Sequence, residues 1–445
     1  MINGREIVLD ILLEVLEKRA FSHIVIRQAL EKYGYLSKQE RAFLSRLAQG
    51  SVERKIELDA RINQVSSVNV MKMKPVIRNI LRMTAYQLEY MNQIPDRAAC
   101  DEAVRLAVKR GFGGLKGFVN GVCRGMIRNR AAFEKIKQEN LSIQYSMPEW
   151  LIEEWMKWLP KETVVQMLEG FYKERPISIR CNTSKQGKEQ IIASLEQDGA
   201  EVTQAPYVKD ALLLHHYDRL DYLEAFRNGW IQVQDVSSML VGLAASPKEG
   251  DYCMDVCAAP GGKTIHLADQ MNGTGMVDCR DISIEKIMKI QENQLRCGFS
   301  NIVPIVADAT KLDLNSIEKA DVLIADLPCS GLGILGKKAD IKYQMTPKQM
   351  EELAKLQRQI LSVVQQYVKL DGTLIYSTCT INPKENIENV RWFLEHYPYE
   401  LVCLEDCFPP ELYSETTKEG WIQLLPGVHD CDGFFIAKMK KVGKS

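Results

Sequence analysis

No two of the twelve cysteines stand in a Cys-x-x-Cys arrangement. Cys253 with Cys257 and Cys403 with Cys407 come nearest to ligand spacing, and neither has a second pair to complete a tetrahedral set, so no metal is expected. Twelve thiols in 445 residues are also too sparse for a disulfide scaffold, and most read as reduced, buried small hydrophobes. No apolar run reaches the roughly 18 residues of a membrane span. The opening MINGREIVLD has neither a basic leader with an apolar stretch nor a small-residue cleavage site, which predicts a cytoplasmic protein. Nucleotide-binding fingerprints are incomplete as well. Gly262, Lys263 and Thr264 suit a P-loop, but Cys257 occupies the place of its first glycine, and Gly-x-Gly-x-x-Gly does not occur. The six histidines lack any catalytic spacing and read as structural.

What is present is a soluble, globular composition, 46% hydrophobic and 26% charged, long enough for two or three domains. The net charge of −1 hides a split. Residues 1–140 carry 25 Lys and Arg against 15 Asp and Glu, whereas the remainder carries 32 against 43. A basic amino-terminal third on an acidic body fits a module that meets a polyanion.

Residues 1–140 read as helices throughout, with apolar residues three and four apart (Ile7, Ile11, Leu12, Val15, Leu16) and a capping box at Ser37 and Glu40. Five to seven helices are predicted. Residues 145–235 alternate strand and helix in RPISIRCNTSK, KEQIIASLEQDGA and AEVTQAP, a small α+β module. It serves as a spacer or adds RNA contacts, with Arg180 and Asn182 as candidates; Trp150, Trp155 and Trp158 before it read as packing residues. From 236 to 445 strands recur, the earlier ones separated by helical patterns: YCMDVC, GMVDCR, IVPIVA, VLIADL and TLIYST, then FFIAKM, expected to enter antiparallel. This order predicts a parallel, doubly wound α/β sheet of Rossmann type.

Chemistry-bearing residues gather after these strands, where open α/β sheets place their sites. The first strand runs into Cys257, Ala258, Ala259, Pro260, Gly261, Gly262 and Lys263, a glycine-rich turn opening a helix whose amino terminus can hold a carboxylate. Asp281 follows the second strand, where it can accept ribose hydroxyls, and Asp308 follows the third, where it can accept an adenine amino group. S-adenosylmethionine, with a carboxylate and no phosphate, suits this set. Asp326 and Cys329 follow the fourth strand in ADLPCSGLG, and Cys379 follows the fifth in YSTCT.

MDVCAAPGGKT, ADLPCSGLG and YSTCT, in that order, resemble the RNA cytosine-C5 methyltransferases of the Nol1/Nop2/Sun family, and GILGKKADIKY and QLLPGVHDCDGFFIAK match it too. Leu327 replaces the more usual Ala or Pro before Pro328. IRNILRMTAYQLEYMNQIPDRAACDEAVRLAVKRGF with GFVNGVCRGM resembles the RNA-binding fold of the antitermination factor NusB, with Asn120 closing the last helical hairpin. A NusB-like domain in front is the mark of the bacterial Sun-type branch. The resemblance implies methylation of C5 of an unstacked cytosine in 16S ribosomal RNA, and it points to cytosine 967. The sequence is silent on oligomeric state, and a monomer is the default expectation. It implies that Cys379 attacks C6, that Asp326 holds and protonates the N3 edge, that Lys263 lies near the base and activates Cys379, and that Cys329 assists release.

Three other readings compete: a non-catalytic RNA-binding or antitermination scaffold, a P-loop NTPase, and the same chemistry on 23S ribosomal RNA or tRNA. DNA C5-methyltransferases attack with a Pro-Cys thiol, which here is Cys329. The literal Glu-Asn-Val at 388–390 falls in a predicted helix and reads as accidental.

Overall fold

The computed structural model describes residues 4–443. It divides into two units: one runs to Tyr172 and includes Leu335–Gln344, and the other comprises Lys173–Ile334 and the chain from Met345 onward.

The first unit is helical. Seven α-helices lie between Gly4 and Arg128 among the described residues, in line with the apolar periodicity. Ser37 and Glu40 form the expected capping box at the start of Lys38–Glu53. Pro75 starts the helix Pro75–Tyr90, where its missing N–H costs nothing. That helix is buried along most of its length, and Leu9, Leu12, Leu47, Leu58, Ile62, Ile80 and Leu81 close around it. Gly50 faces it because a Cβ there would lie 2.0 Å from the Tyr86 ring. Asn120 is half-buried in Lys116–Arg128. Helices Glu149–Met156 and Lys161–Gly170 follow, with Trp155 fully buried.

Leu335–Gln344 belongs to this unit, although on sequence it read as part of the 236–445 domain. Lys342 Nζ and Tyr343 Oη each donate 2.9 Å bonds to the Glu53 carbonyl, an unsatisfied acceptor at a helix end. Burial pushes the Lys342 ammonium down to about 7.

The second unit holds two sheets. β1 (Ile177–Cys181), β2 (Glu201–Gln204), β3 (Ala211–His215) and β4 (Ile231–Val233) form an antiparallel sheet in the order β2-β3-β1-β4. The second sheet contains β5 (Tyr252–Asp255), β6 (Met276–Asp281), β7 (Ile302–Val306), β8 (Ala320–Asp326), β9 (Val368–Thr378), β10 (Tyr399–Leu401), β11 (Trp421–Leu424) and β12 (Phe434–Lys441). Its order is β7-β6-β5-β8-β9-β12-β10, with β11 paired to β12. Strands β5 to β9 are parallel, and β12 enters antiparallel against β9.

Both faces of this sheet are buried, so successive side chains feed opposite cores. Cys253, Val322, Ile324, Ile375 and Ile436 join one core with the helices Val236–Ala245, Gly262–Gln270 and Ile284–Cys297. Met254, Leu323, Ala325, Leu374, Tyr376 and Phe435 join the other with Pro347–Val364 and Ile387–His396. This is the doubly wound arrangement predicted from the strand and helix order.

Candidate active site

Strand order reverses between β5 and β8, so the loops after them open a crevice at the carboxyl edge of the sheet. The loop after β5 is pinned to the end of β6: Ala258 N donates to the Arg280 carbonyl (2.9 Å) and Ala259 N to Asp281 Oδ2 (3.0 Å). Its Ala259–Pro260 peptide is cis, and Gly261 adopts φ +101°, a left-handed conformation that side chains rarely take. Helix Gly262–Gln270 then begins.

Asp281 is buried at the end of β6 and also accepts from Ile282 N and Lys286 Nζ, each at 2.8 Å. Asp308, beyond β7, accepts from Thr310 Oγ1 at 2.6 Å and Thr310 N at 3.0 Å, and these bonds hold its carboxyl below the usual range. Asp255, the last residue of β5, is fully buried. Its Oδ2 accepts from Thr264 Oγ1 at 2.8 Å, and among the described residues its Oδ1 makes no hydrogen bond. Burial, opposed by the Thr264 bond and the charge of Lys263, pushes this carboxyl up to about 7.

The thiols meet because β8 and β9 are parallel neighbours with Asp326 in register with Ser377. Cys329 and Cys379 are both half-buried, and their Sγ atoms are 3.3 Å apart with no disulfide. The hydrogen bond with Cys379, then burial and the negative charge of Glu385, push the Cys329 thiol up. Asp326 takes the same register: Ser377 Oγ donates to its Oδ1 at 2.8 Å, and Lys263 Nζ to its Oδ2 at 2.7 Å. The Lys263 ammonium also sits 5.3 Å from the Phe434 ring centroid. Lys263 therefore pairs with Asp326, and among the described residues it makes no hydrogen bond to Cys379, the thiol it was expected to activate.

Sequence reading placed the loop, Asp281, Asp308, Asp326 and both cysteines at strand ends, and all are there. Arg180 and Asn182 are not RNA-facing. Both are fully buried, Arg180 donating to Gln234 Oε1, Asn182 Oδ1 and the Gly262 carbonyl, because β1 packs onto the start of helix Gly262–Gln270. Ser377 went unnoticed although it lies inside YSTCT, and so did the unpaired oxygen of Asp255, which only burial makes informative.

Residues 243–440 match the family described as 16S rRNA methyltransferase RsmB/F, residues 2–128 the NusB family, and residues 147–235 the ferredoxin-like domain of RsmF/B-like methyltransferases. The chain is 34% identical over 444 residues to the probable ribosomal RNA small subunit methyltransferase B of Bacillus subtilis, covering 99% of each chain. The protein belongs to the RsmB/F family. Another family relative, ribosomal RNA small subunit methyltransferase B of Escherichia coli K12, is 29% identical across 91% of this chain and 92% of its own. The crystal structure of PH0851 superposes with a TM-score of 0.82 at 27% identity over 99% of both chains. A methyltransferase homologue from Pyrococcus horikoshii covers 68% of this chain and 97% of its own, with a TM-score of 0.59 at 26% identity.

The RsmB/F cofactor is S-adenosylmethionine, and the site's chemistry fits it. That molecule carries an ammonium, a carboxylate, a ribose diol and an adenine amino group. The site presents an unpartnered buried carboxylate oxygen at Asp255, a helix amino terminus, and strand-end acids at Asp281 and Asp308.

Proposed function

We propose that the protein transfers a methyl group from S-adenosylmethionine to C5 of a cytosine in 16S ribosomal RNA, through a covalent bond between Cys379 and C6. The observation that carries this reading is the approach of two free thiols to 3.3 Å beside an Asp326 carboxylate tied to Lys263. The loop Cys257–Gly262 with Lys263, and Asp255, Asp281 and Asp308, would hold the cofactor. The names of the bacterial relatives support small-subunit ribosomal RNA as the substrate, and the family resemblance points to cytosine 967.

C5 of cytosine is a weak nucleophile until C6 is saturated by an added group. The Cys379 thiolate forms the S–C6 bond, and the displaced π electrons move toward C5 and N3. Asp326 holds the N3 edge and delivers a proton to it, replenished from Lys263 across their 2.7 Å contact, so charge does not accumulate on the ring. Bound S-adenosylmethionine supplies an electrophilic methyl group, which C5 accepts. Loss of the C5 proton to water then forms the C5=C6 bond as the S–C6 bond breaks to release the Cys379 thiolate, and the N3 proton returns to Asp326. Cys329, at 3.3 Å, is placed to donate a hydrogen bond to the departing Cys379 sulfur.

Face-on access to C5 and C6 requires an unstacked base, which favours a loop or single-stranded segment. The helical unit's excess of cations supplies sequence-independent attraction to phosphates. The test is to incubate Cys329→Ala and Cys379→Ala proteins with 16S RNA and cofactor. A trapped protein–RNA adduct is expected from the first and none from the second. The reverse outcome transfers the nucleophile to Cys329, and absence of 5-methylcytosine with the unmodified protein overturns the function.

A further inference from the structure

Behind the two thiols lies a carboxylate that the mechanism above does not use. Glu385 is fully buried in the turn after β9, and four neutral donors converge on it. Ser330 N (2.9 Å) and Gln357 Nε2 (3.0 Å) reach Oε2; Ser330 Oγ (2.5 Å) and Asn382 Nδ2 (2.9 Å) reach Oε1. Four donors on two oxygens suit an acceptor-only, ionised group. Gln357, on helix Pro347–Val364, also donates to the Pro328 carbonyl at 2.8 Å and is held by Asn389 Nδ2 at 2.8 Å. Ser330 Oγ lies 2.7 Å from Thr380 Oγ1. The residues on either side of Cys329, and those just after Cys379, are thus bound into one buried network centred on Glu385.

We propose that Glu385 is a positioning residue that clamps the Cys329 loop to the Cys379 loop and makes the two thiols unequal. The proposal rests on the reading that Cys379 attacks and Cys329 assists. The clamp sets the distance between the sulfurs. Its charge sets their difference: Cys329 faces Glu385 from the turn, Cys379 from the end of β9 and Tyr376 from within β9. A fixed negative charge beside Cys329 keeps the proton there, so Cys329 stays a thiol. Asn389, which sits in the Glu-Asn-Val stretch set aside on sequence, belongs to this support.

The test compares Glu385→Gln and Glu385→Asp in the full-length protein, following iodoacetamide labelling of each cysteine by mass spectrometry against pH. In Glu385→Gln, labelling of Cys329 at around pH 8 should rise about tenfold while Cys379 changes by less than about twofold. Methylation kcat should fall with KM for RNA nearly unchanged. Glu385→Asp keeps the charge and should keep Cys329 slow. Should Glu385→Gln not fold, Ser330→Ala removes a strand of the clamp and leaves the charge, so kcat should fall with Cys329 labelling unchanged. An equal rise at both thiols, or unchanged labelling in a folded Glu385→Gln protein, overturns the proposal. Labelling needs neither RNA nor cofactor, so it judges Glu385 even if methyl transfer itself is not found.

Discussion

A cluster in the helical unit and the groups around the crevice of the sheet unit bury charge in different ways. In the helical cluster, buried ions meet ions: Arg82 donates to both oxygens of Asp59 at 2.6 and 2.9 Å, and Glu57 accepts from Lys137 at 2.9 Å. In the sheet unit, several buried ionic groups near the crevice are held by neutral partners. Arg180 is bonded to amide oxygens and a carbonyl, Glu385 to amides and a hydroxyl, and Asp255 to the Thr264 hydroxyl, its other oxygen making no hydrogen bond among the described residues. A paired charge has its field cancelled locally and serves to fix helix packing. One held by neutral dipoles keeps its field and can act on whatever enters beside it. The contrast separates residues whose loss should unfold the protein from those whose loss should silence it.

The largest effect is expected where the two patterns meet, at Asp326. Asp326→Asn keeps the shape and an acceptor for Lys263 but removes the acid. Methylation kcat should fall by about 10²–10⁴-fold while the melting temperature hardly moves. A comparable loss of stability would make Asp326 a structural ion-pair partner and erase the distinction.

Next is Arg82→Ala. It removes the bidentate partner of Asp59, while Glu17 keeps Arg78, and unfolding by urea should show a loss of about 3 kcal/mol, the low end for a broken buried pair because Asp59 keeps some exposure. Cofactor binding by the folded fraction should be unchanged.

The smallest effect concerns Asp255. Its folded carboxyl lies near 7, above the unfolded value, so its protonation favours the fold. That contribution is complete below the ordinary carboxylate range and is lost as pH rises through about 7. Pairing with a ligand ammonium runs the other way, because it needs the ionised form. Binding of S-adenosylmethionine, measured by calorimetry, should tighten about fivefold from roughly pH 6 to pH 7.5. Asp255→Asn should flatten the profile, and a profile identical to the unmodified protein would remove Asp255 from the site.

Much of the fold was readable from local pattern. Five β-rich runs separated by helical periods became β5 to β9, and FFIAKM became the antiparallel β12. The strands missed, β3, β4, β10 and β11, are antiparallel strands of three to five residues. Arg180 and Asn182 misled because a polar pair on an alternating strand reads as solvent-facing. Only the packing of β1 on helix Gly262–Gln270 buries them.

By itself the sequence determined which residues stand at strand ends. Period-two patterning and glycine–proline turns are local, so the loop after β5, Asp326 and both cysteines could be placed without knowing their neighbours. Tertiary structure decided who touches whom. Lys263 reaches Asp326 across 63 residues, Cys329 meets Cys379 across 50, and Glu385 grips Ser330 across 55. Those contacts depend on the order and register of parallel strands, and strand register is a property of the sheet that no single segment carries.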